Sequence, residues 1–202
     1  MSNQTDLELL LRRSSELHQA LDAVLAGARF IELPRTRLVV ATSQVVVEHG
    51  ISICLLAEAG NLASANALLR AQFEALVRGL WYCFAAKDDW FAKYLDAARA
   101  SPTKDPNMSW GMDDMLDAIA TNAPSQIAPQ LVEFKTKAWG PLNSFVHGGV
   151  QPIALQVAGP EFALVEGTVR NSNGLTIMAC AAAATLTGER RHSHEVALIQ
   201  RR

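Results

Sequence analysis

Apolar side chains recur every three or four residues along most of the chain, a period typical of α-helices that bury one face. Partial alternation of apolar and polar residues, which would favour strands, is confined to one segment near residue 160. The pattern therefore predicts an all-α helical bundle of six to seven helices. The predicted helices cover residues 5–28, 35–59, 61–86, 89–100, 108–121, 129–145 and 173–187.

The second and third predicted helices form the longest continuous part of this pattern. Pro34 precedes the second helix at a position where proline favours helix initiation. The middle of that helix is rich in β-branched residues, but the segment is long and has no turn signal, so we expect burial to override local propensity. Gly60 and Asn61 leave room only for a short link, which predicts a long antiparallel helix hairpin.

Three segments depart from the helical pattern. Residues 101–107 contain two prolines and are predicted to form a loop. Residues 150–169 alternate in part around Gly159 and Pro160, so a short hairpin or loop insertion is expected there. The chain is interpreted as a single helical domain over residues 1–190, followed by a polar basic tail at 191–202 with a frayed end.

The third helix carries three charges in otherwise apolar surroundings. Arg70, Glu74 and Arg78 are four residues apart, so each step turns by only roughly 40° around the helix and the three form one ridge. Both flanks are apolar, which indicates a helix that is buried nearly all round. Buried charges are costly unless paired, and each arginine can pair with Glu74. One positive charge is left over, so the ridge is either a structural ion ladder or the wall of a cleft for an anionic group.

The composition adds an expectation about assembly. Only 19% of the residues are charged while 50% are hydrophobic, whereas ordinary soluble domains contain roughly 25% charged residues. The shortage indicates extra buried surface, and a homo-oligomer, most simply a dimer, would provide it. The formal net charge of −2 leaves no basic footprint for DNA, although a local site for RNA or an anionic small molecule stays open.

The cysteines and the N-terminal residues give an expectation about the cellular compartment of the protein. Cys54, Cys83 and Cys180 are widely spaced in apolar helical contexts, so we expect reduced core thiols in a cytoplasmic protein. The first residues lack an apolar stretch of signal-peptide length. No membrane span is expected either, because the long uncharged runs contain helix breakers or polar residues.

Other polar residues are candidates for the same site as the ridge. In an antiparallel hairpin, Glu48 or His49 would lie at the height of Arg70 and Glu74. His147 follows a helix and precedes two glycines, so its ring can act as a general base, donate a hydrogen bond to an anion or cap the helix. The candidate catalytic residues are His147, Arg78 and Glu74, and the candidate ligand-binding residues are Arg70, Glu48, His49, Trp81, Asn143 and Ser144.

Several common chemistries find no support in the spacing of the polar residues. Glu48 and His49 are adjacent and point about 100° apart on a helix, and no Glu-x-x-His occurs, so no metal is predicted. No Gly-x-Ser-x-Gly elbow, phosphate loop or dinucleotide fingerprint is present, and no cofactor is predicted. His192 and His194 fall in the polar tail and are expected to be solvated.

Two segments resemble a known group of proteins. Residues 68–86 resemble the signature helix of uncharacterised bacterial proteins with a domain of unknown function, which follows an Arg-x-x-x-Glu-x-x-x-Arg-Gly-x-Trp pattern. The matching residues are Arg70, Glu74, Arg78, Gly79 and Trp81. The Phe-Val-His-Gly-Gly segment at 145–149 is similar to the His-Gly segment of the same group. Across residues 35–150, the arrangement is also similar to HEPN-like helical proteins, some of which are toxin ribonucleases or phage-defence factors.

The resemblance implies a set of functional hypotheses. HEPN ribonucleases carry an arginine and a polar residue shortly before a histidine at a helix end; here Asn143 and His147 match, and no arginine stands in the expected place. The leading hypothesis is a helical protein that binds an anionic group at its Arg/Glu/His cluster, in phage defence or stress response. The alternatives are a HEPN-like metal-independent ribonuclease, with His147 as the general acid/base, and a purely structural interaction module.

Overall fold

The structure, a computed structural model, describes residues 2–100 and 110–201 of the chain. Every regular element in the described part is an α-helix, and there are nine of them, so the all-α class is confirmed while the predicted number of six to seven is too low. The helices are α1 (Ser2–Leu25), α2 (Pro34–Glu58), α3 (Leu62–Phe84), α4 (Asp88–Ala100), α5 (Met112–Asn122), α6 (Ile127–Val146), α7 (Val150–Ala158), α8 (Phe162–Thr185) and α9 (Arg190–Gln200).

The predicted hairpin of α2 and α3 is present, and these two helices make the most extensive contact between any two described helices. The link between them includes Gly60, whose φ of 74° suits glycine and lets the chain reverse. The side chain of Gln72 donates to the Val46 carbonyl at 3.0 Å, whereas Gly79, further along α3, lies against Thr42 of α2. Contacts that move forward along α3 therefore move backward along α2, and the two helices are antiparallel.

Three helices form the centre of the molecule. α2, α3 and α8 pack against one another, α5 and α6 cover the free side of α3, and α1 and α9 cover the free side of α8. The main core lies between the central helices, and a smaller cluster joins α1, α8 and α9. Fully buried positions of the main core include Val39, Val46, Ile53, Phe73, Leu76, Val77 and Val169.

The hairpin or loop predicted for residues 150–169 is wrong. This segment forms α7 and the first turns of α8, separated by Gly159, whose φ is 78°. α7 is only nine residues long and contains no charged residue, so its short apolar run imitates the alternation of a strand. The last core helix likewise begins at Phe162 and not at Asn173, since Asn173 bonds Ser14 of α1 from within the helix.

The C-terminal segment, expected to be a frayed tail, forms helix α9. His192 and Val196 are one turn apart and both are buried, and α9 packs on α8 and α1. The Nδ1 atom of His192 lies 2.9 Å from the Thr187 hydroxyl. The expectation that His192 is solvated is therefore wrong, whereas His194 is exposed.

Two further expectations concern the edges of the described part and the membrane. The predicted loop at 101–107 and the predicted helix start at residue 108 lie outside the described residues, and α5 begins at Met112. Among the described helices, only α2 is long and apolar enough to cross a membrane by length and composition, with a mean hydropathy of 1.6 over its most apolar window. A core helix of a soluble protein passes the same test.

Candidate functional site

An open groove of about 700 Å³ runs beside the hairpin, between the end of α2, the first half of α3 and the end of α6. We call it the Arg70 groove. It combines the arginine and glutamate of the charged ridge with the histidine that follows α6. Its lining residues are Leu56, Ser64, Ala67, Leu68, Arg70, Ala71, Glu74, Phe145, Val146 and His147.

Arg70 is held in a fixed position at this groove. Its Nη2 donates to Glu74 Oε1 at 2.7 Å, and its Cζ lies 4.2 Å from the centre of the Trp139 ring. Trp139 is itself packed edge-on against Phe73, with ring centroids 6.2 Å apart. The planar guanidinium group is therefore stacked on one face and paired at one edge, which restricts its rotamers before any ligand arrives.

The three charges of the ridge are not equivalent in the structure. The Arg70 side chain is only 14% exposed, and its Nε atom is buried without a hydrogen-bond partner among the described residues. Glu74 is 42% exposed and, within the described part of the chain, pairs with Arg70 alone. Arg78 is exposed and forms no ion pair with any described residue. The extra positive charge expected from the sequence thus lies one turn beyond Glu74, at about 6 Å along the helix axis.

His147 lies on the rim of the groove because α6 ends just before it. Its backbone N–H donates to the Asn143 carbonyl at 3.0 Å, which closes the last turn. Gly148 then takes a φ of 65°, so the chain turns away and the imidazole stays exposed. Arg70, Glu74 and His147 are therefore brought together at one groove from two helices distant in sequence.

Ser144 fixes the corner between α6 and α7. Its Oγ accepts a hydrogen bond from the backbone N–H of Gln151, in the first turn of α7, at 3.0 Å. A Cβ atom at Gly149 would overlap this hydroxyl, so only glycine fits there without displacing it. Neither Ser144 nor the half-buried Asn143 lines the Arg70 groove, and the observed role of Ser144 is that of a helix cap.

The other candidate residues lie away from the groove. Glu48 is exposed and faces α1, on the opposite side of α2, and His49 is half-buried. The pKa of His49 is lowered, chiefly because burial disfavours the charged ring, and the neighbouring Glu48 carboxylate partly opposes that shift. Trp81 is buried in an aromatic cluster, with its ring centroid 4.9 Å from that of Trp90 and 5.4 Å from that of Trp110.

A buried polar contact between α2, α3 and α8 was missed by the sequence reasoning. Gln72 is fully buried, and its Nε2 lies within hydrogen-bonding distance of the Val46 carbonyl, the Ser172 carbonyl (3.3 Å) and the Thr176 hydroxyl (3.1 Å). Gly50 of α2 lies directly against this group. The signal in the sequence is a glutamine inside an apolar stripe, which indicates a buried amide with partners of its own.

The described residues contain no group of three or more His, Cys, Asp or Glu side chains placed to hold a metal ion. All three cysteines are free, and burial raises the pKa of the Cys180 thiol to about 12, with a smaller contribution from the Asp22 carboxylate. The Cys180 thiol is therefore protonated near neutral pH.

The fold and the groove define an all-helical protein with a stacked arginine–glutamate pair beside its central hairpin. Residues 43–202, well over half of the chain, match the model of a family of unknown function (DUF6988), and the chain belongs to this family. The matched region contains every residue that lines the Arg70 groove. No curated protein matches the chain, and no solved structure does.

Proposed function

We propose that the protein is of the HEPN-like helical type and binds an anionic small molecule or RNA in the Arg70 groove, in phage defence or stress response. The observation that carries the proposal is the position of Arg70, whose guanidinium is stacked on Trp139 beside an open groove with His147 on its rim. A guanidinium held in one orientation binds a phosphate or carboxylate at little entropic cost.

The balance of charge favours an anion over a purely structural ladder. In a ladder, Glu74 would lie between both arginines and the surface beside it would be closed. Instead, within the described residues, Glu74 pairs only with Arg70, a groove is open beside the pair, and Arg78 extends the ridge with an unpaired exposed charge. Arg78 does not line the groove itself, but its charge one turn beyond Glu74 leaves the ridge as a whole net positive.

The size and walls of the groove indicate the kind of anion. Small-molecule sites enclose about 300–1,000 Å³, and this groove of about 700 Å³ falls in that range. Leu56, Leu68 and Phe145 give it apolar and aromatic walls. A ligand that joins a phosphate to a planar ring, such as a nucleotide or the end of an RNA strand, suits both parts.

Calorimetric titration with inorganic phosphate, adenosine monophosphate and a short single-stranded RNA tests this proposal. We expect His147→Ala, on the groove rim, to weaken nucleotide or RNA binding about five- to tenfold, as the loss of one charge-assisted hydrogen bond would. Arg78→Gln, one turn beyond Glu74, removes a more distant positive charge and should weaken binding less. Arg190→Gln, an exposed arginine on α9, is the matched control and should bind as the wild type does. Absence of binding by the wild type would leave the structural interaction module.

A second candidate is a metal-independent ribonuclease, and the shared groove of Arg70 and His147 favours it. The imidazole would take the proton of a ribose 2′-hydroxyl as that oxygen attacks phosphorus. The bond from phosphorus to the 5′-oxygen would break, the imidazolium would return the proton to that leaving oxygen, and a 2′,3′-cyclic phosphate would form. The guanidinium would stabilise the charge that develops on the phosphate oxygens. Arg70 would then supply, from α3, the arginine that is missing ahead of His147.

This candidate predicts RNA cleavage in the presence of a chelator and no cleavage of a DNA strand of the same sequence, which lacks the 2′-hydroxyl. His147→Ala should abolish the activity, and Arg190→Gln should retain it. Cleavage that persists in purified His147→Ala protein would eliminate the role of His147.

A dimer in the cytoplasm completes the proposal. α7 exposes Val150, Ile153 and Val157 at 75, 62 and 85% of their surface, which supports an apolar contact between copies. The three free cysteines support a reducing compartment. Light scattering after size exclusion should give twice the chain mass for the wild type and the monomer mass for Val157→Glu, and a monomeric wild type would contradict the dimer.

A further inference from the structure

A second groove lies on the other side of α2, between α2 and α1. It consists of two cavities of about 460 Å³ each, which adjoin at His18, Asp22, Val47 and Ile51. We call it the α1–α2 groove. The α1–α2 groove and the Arg70 groove share no lining residue. A ligand of the α1–α2 groove would therefore bind at a separate site, and this inference does not depend on the function proposed for the Arg70 groove.

The walls of the α1–α2 groove are mostly apolar. One end is closed by Phe30 and by Cys180 of α8, and the other end reaches Leu55 of α2. Ile51 and Leu55 remain 45 and 60% exposed, so apolar surface of α2 faces solvent along this side. An aliphatic chain or a ring placed in the groove would remove this surface from water.

His18 provides a buried polar group within these walls. The residue is only 8% exposed, lines both cavities and forms no hydrogen bond with any described residue, and its Nε2 is buried without a partner. Burial lowers the pKa of this ring, so it is neutral at pH 7 and has one acceptor nitrogen. The Nε2 atom is closed off from the groove and lies near the backbone of Gly50, beside Gln72 and Thr176, so the ring adds neither a charge nor an accessible acceptor to the groove.

The charges around the groove all have the same sign. Asp22, Glu48 and Glu58 line it, and no lysine or arginine of the described chain does. None of the three carboxylates forms an ion pair with a described residue. Such a site attracts cations and repels fatty acids, nucleotides and other anions.

We propose that the α1–α2 groove binds a small amphipathic cation, with its apolar body between α1 and α2 and its ammonium group near Asp22 and Glu48. The neutral His18 ring forms part of the wall and adds no positive charge that would oppose the ammonium group. The ligand class follows from the apolar walls, the unpaired carboxylates and the lack of any lysine or arginine among the described lining residues. The groove is thus the electrostatic opposite of the Arg70 groove.

Calorimetric titration of the whole protein with n-octylammonium, n-octanol and n-octanoate tests this inference, with each compound kept below its aggregation concentration. The three probes share one alkyl chain and differ in the charge of the head group. We expect octylammonium to bind at least about tenfold more tightly than octanol, and octanoate not to bind. Equal affinity for octylammonium and octanol, or no binding of octylammonium at millimolar concentration, would overturn the inference.

Substitutions in the α1–α2 groove test where octylammonium binds. They also distinguish the effect of the carboxylate charges from that of the space in the groove. Asp22→Asn and Glu48→Gln should each weaken octylammonium about two- to fivefold, the range for one partly exposed ion pair. Glu195→Gln, an exposed carboxylate on α9, should change nothing. Ile51→Trp fills the groove from an exposed position and should block all binding. Affinity unchanged in both Glu48→Gln and Ile51→Trp would show that the probe binds elsewhere and would refute the assignment.

Discussion

Replacing Gly50 by alanine should destabilise the protein, although alanine is the better helix former. A Cβ atom at this position would lie 2.6 Å from Thr176 Oγ1 and 3.1 Å from Gln72 Nε2. Both atoms belong to the buried contact between α2, α3 and α8, where Gln72 donates to Thr176 at 3.1 Å and Thr176 donates to the Ser172 carbonyl at 3.0 Å. The added methyl group must therefore displace Thr176, move α2 or break the hydrogen bond.

Two contributions destabilise the Gly50→Ala protein, and one stabilises it. Overpacking of a tight core costs about 1–3 kcal/mol. Loss of the Gln72–Thr176 bond leaves buried polar atoms unpaired, at about 1–3 kcal/mol. Replacing glycine by alanine within a helix returns about 1 kcal/mol. Together these ranges give a net decrease in the free energy of unfolding of about 1–5 kcal/mol, with a middle value of about 3 kcal/mol.

Urea denaturation followed by far-ultraviolet circular dichroism measures this change. Gly174→Ala is the matched control, because Gly174 also lies within a helix but has no atom within 4 Å of its Cβ position. The control should gain about 0.5–1 kcal/mol from helix propensity alone. Thr176→Ala removes the displaced oxygen, so the effect of Gly50→Ala should shrink by about 1 kcal/mol or more in that background. A Gly50→Ala protein as stable as Gly174→Ala would refute the close packing of α2 on α8.

Three further predictions concern other positions. Gly149→Ala should lower the free energy of unfolding by about 1–3 kcal/mol, because the added Cβ displaces the Ser144 hydroxyl that caps α7. Gly140→Ala is the control and should not lower it, because no atom lies within 4 Å of the Cβ position of Gly140. Equal denaturation midpoints for the two variants would contradict the capping role of Ser144. The Cys180 thiol has a pKa of about 12, so it should resist alkylation by iodoacetamide at pH 8 in the native protein and react in urea. Peptide mass spectrometry measures the extent of labelling. Labelling of the native protein as fast as that of the urea-unfolded protein would contradict the burial of Cys180. Burial lowers the pKa of His18 below 6.5, so the unfolded state binds a proton at this residue more readily than the folded state does. The free energy of unfolding should therefore fall as the pH drops below 6.5, by up to about 1.4 kcal/mol per pH unit. Urea titrations at pH 7.5 and 5.5 should show a smaller pH dependence for His18→Phe, and an unchanged dependence would exclude His18 as its source.

The helix hairpin was predictable because its signals are local. A long apolar period on either side of Gly60 determines both helices and their link. Residues 150–169 carry no such signal, because α7 is short and uncharged, so local periodicity cannot distinguish it from a strand. α9 was missed for a different reason: the buried pair His192 and Val196 is surrounded by charged residues, and only packing on α8 reveals its inner face.

The site was predictable in part. Arg70 and Glu74 are brought together by helix geometry alone, whereas the approach of His147 depends on how α6 packs on α3. The height of Glu48 along the hairpin follows from the position of the link, whereas the face of α2 on which it lies does not. The backbone around Val46 and Gly50 meets Gln72 of α3, and residue 48 is about 200° away from residue 46 around the helix axis. The rotation of α2 therefore turns Glu48 toward α1.

The stacking of Arg70 on Trp139 has a spectroscopic consequence. The other three tryptophans, Trp81, Trp90 and Trp110, form a separate aromatic cluster on the far half of α3. A variant that keeps only Trp139, with phenylalanine at the other three positions, would emit from one indole stacked against the Arg70 guanidinium. Any ligand that pulls the guanidinium away from the ring would change the emission intensity and lifetime of that indole. The protein thus carries its own optical reporter for occupancy of the Arg70 groove, with no added dye.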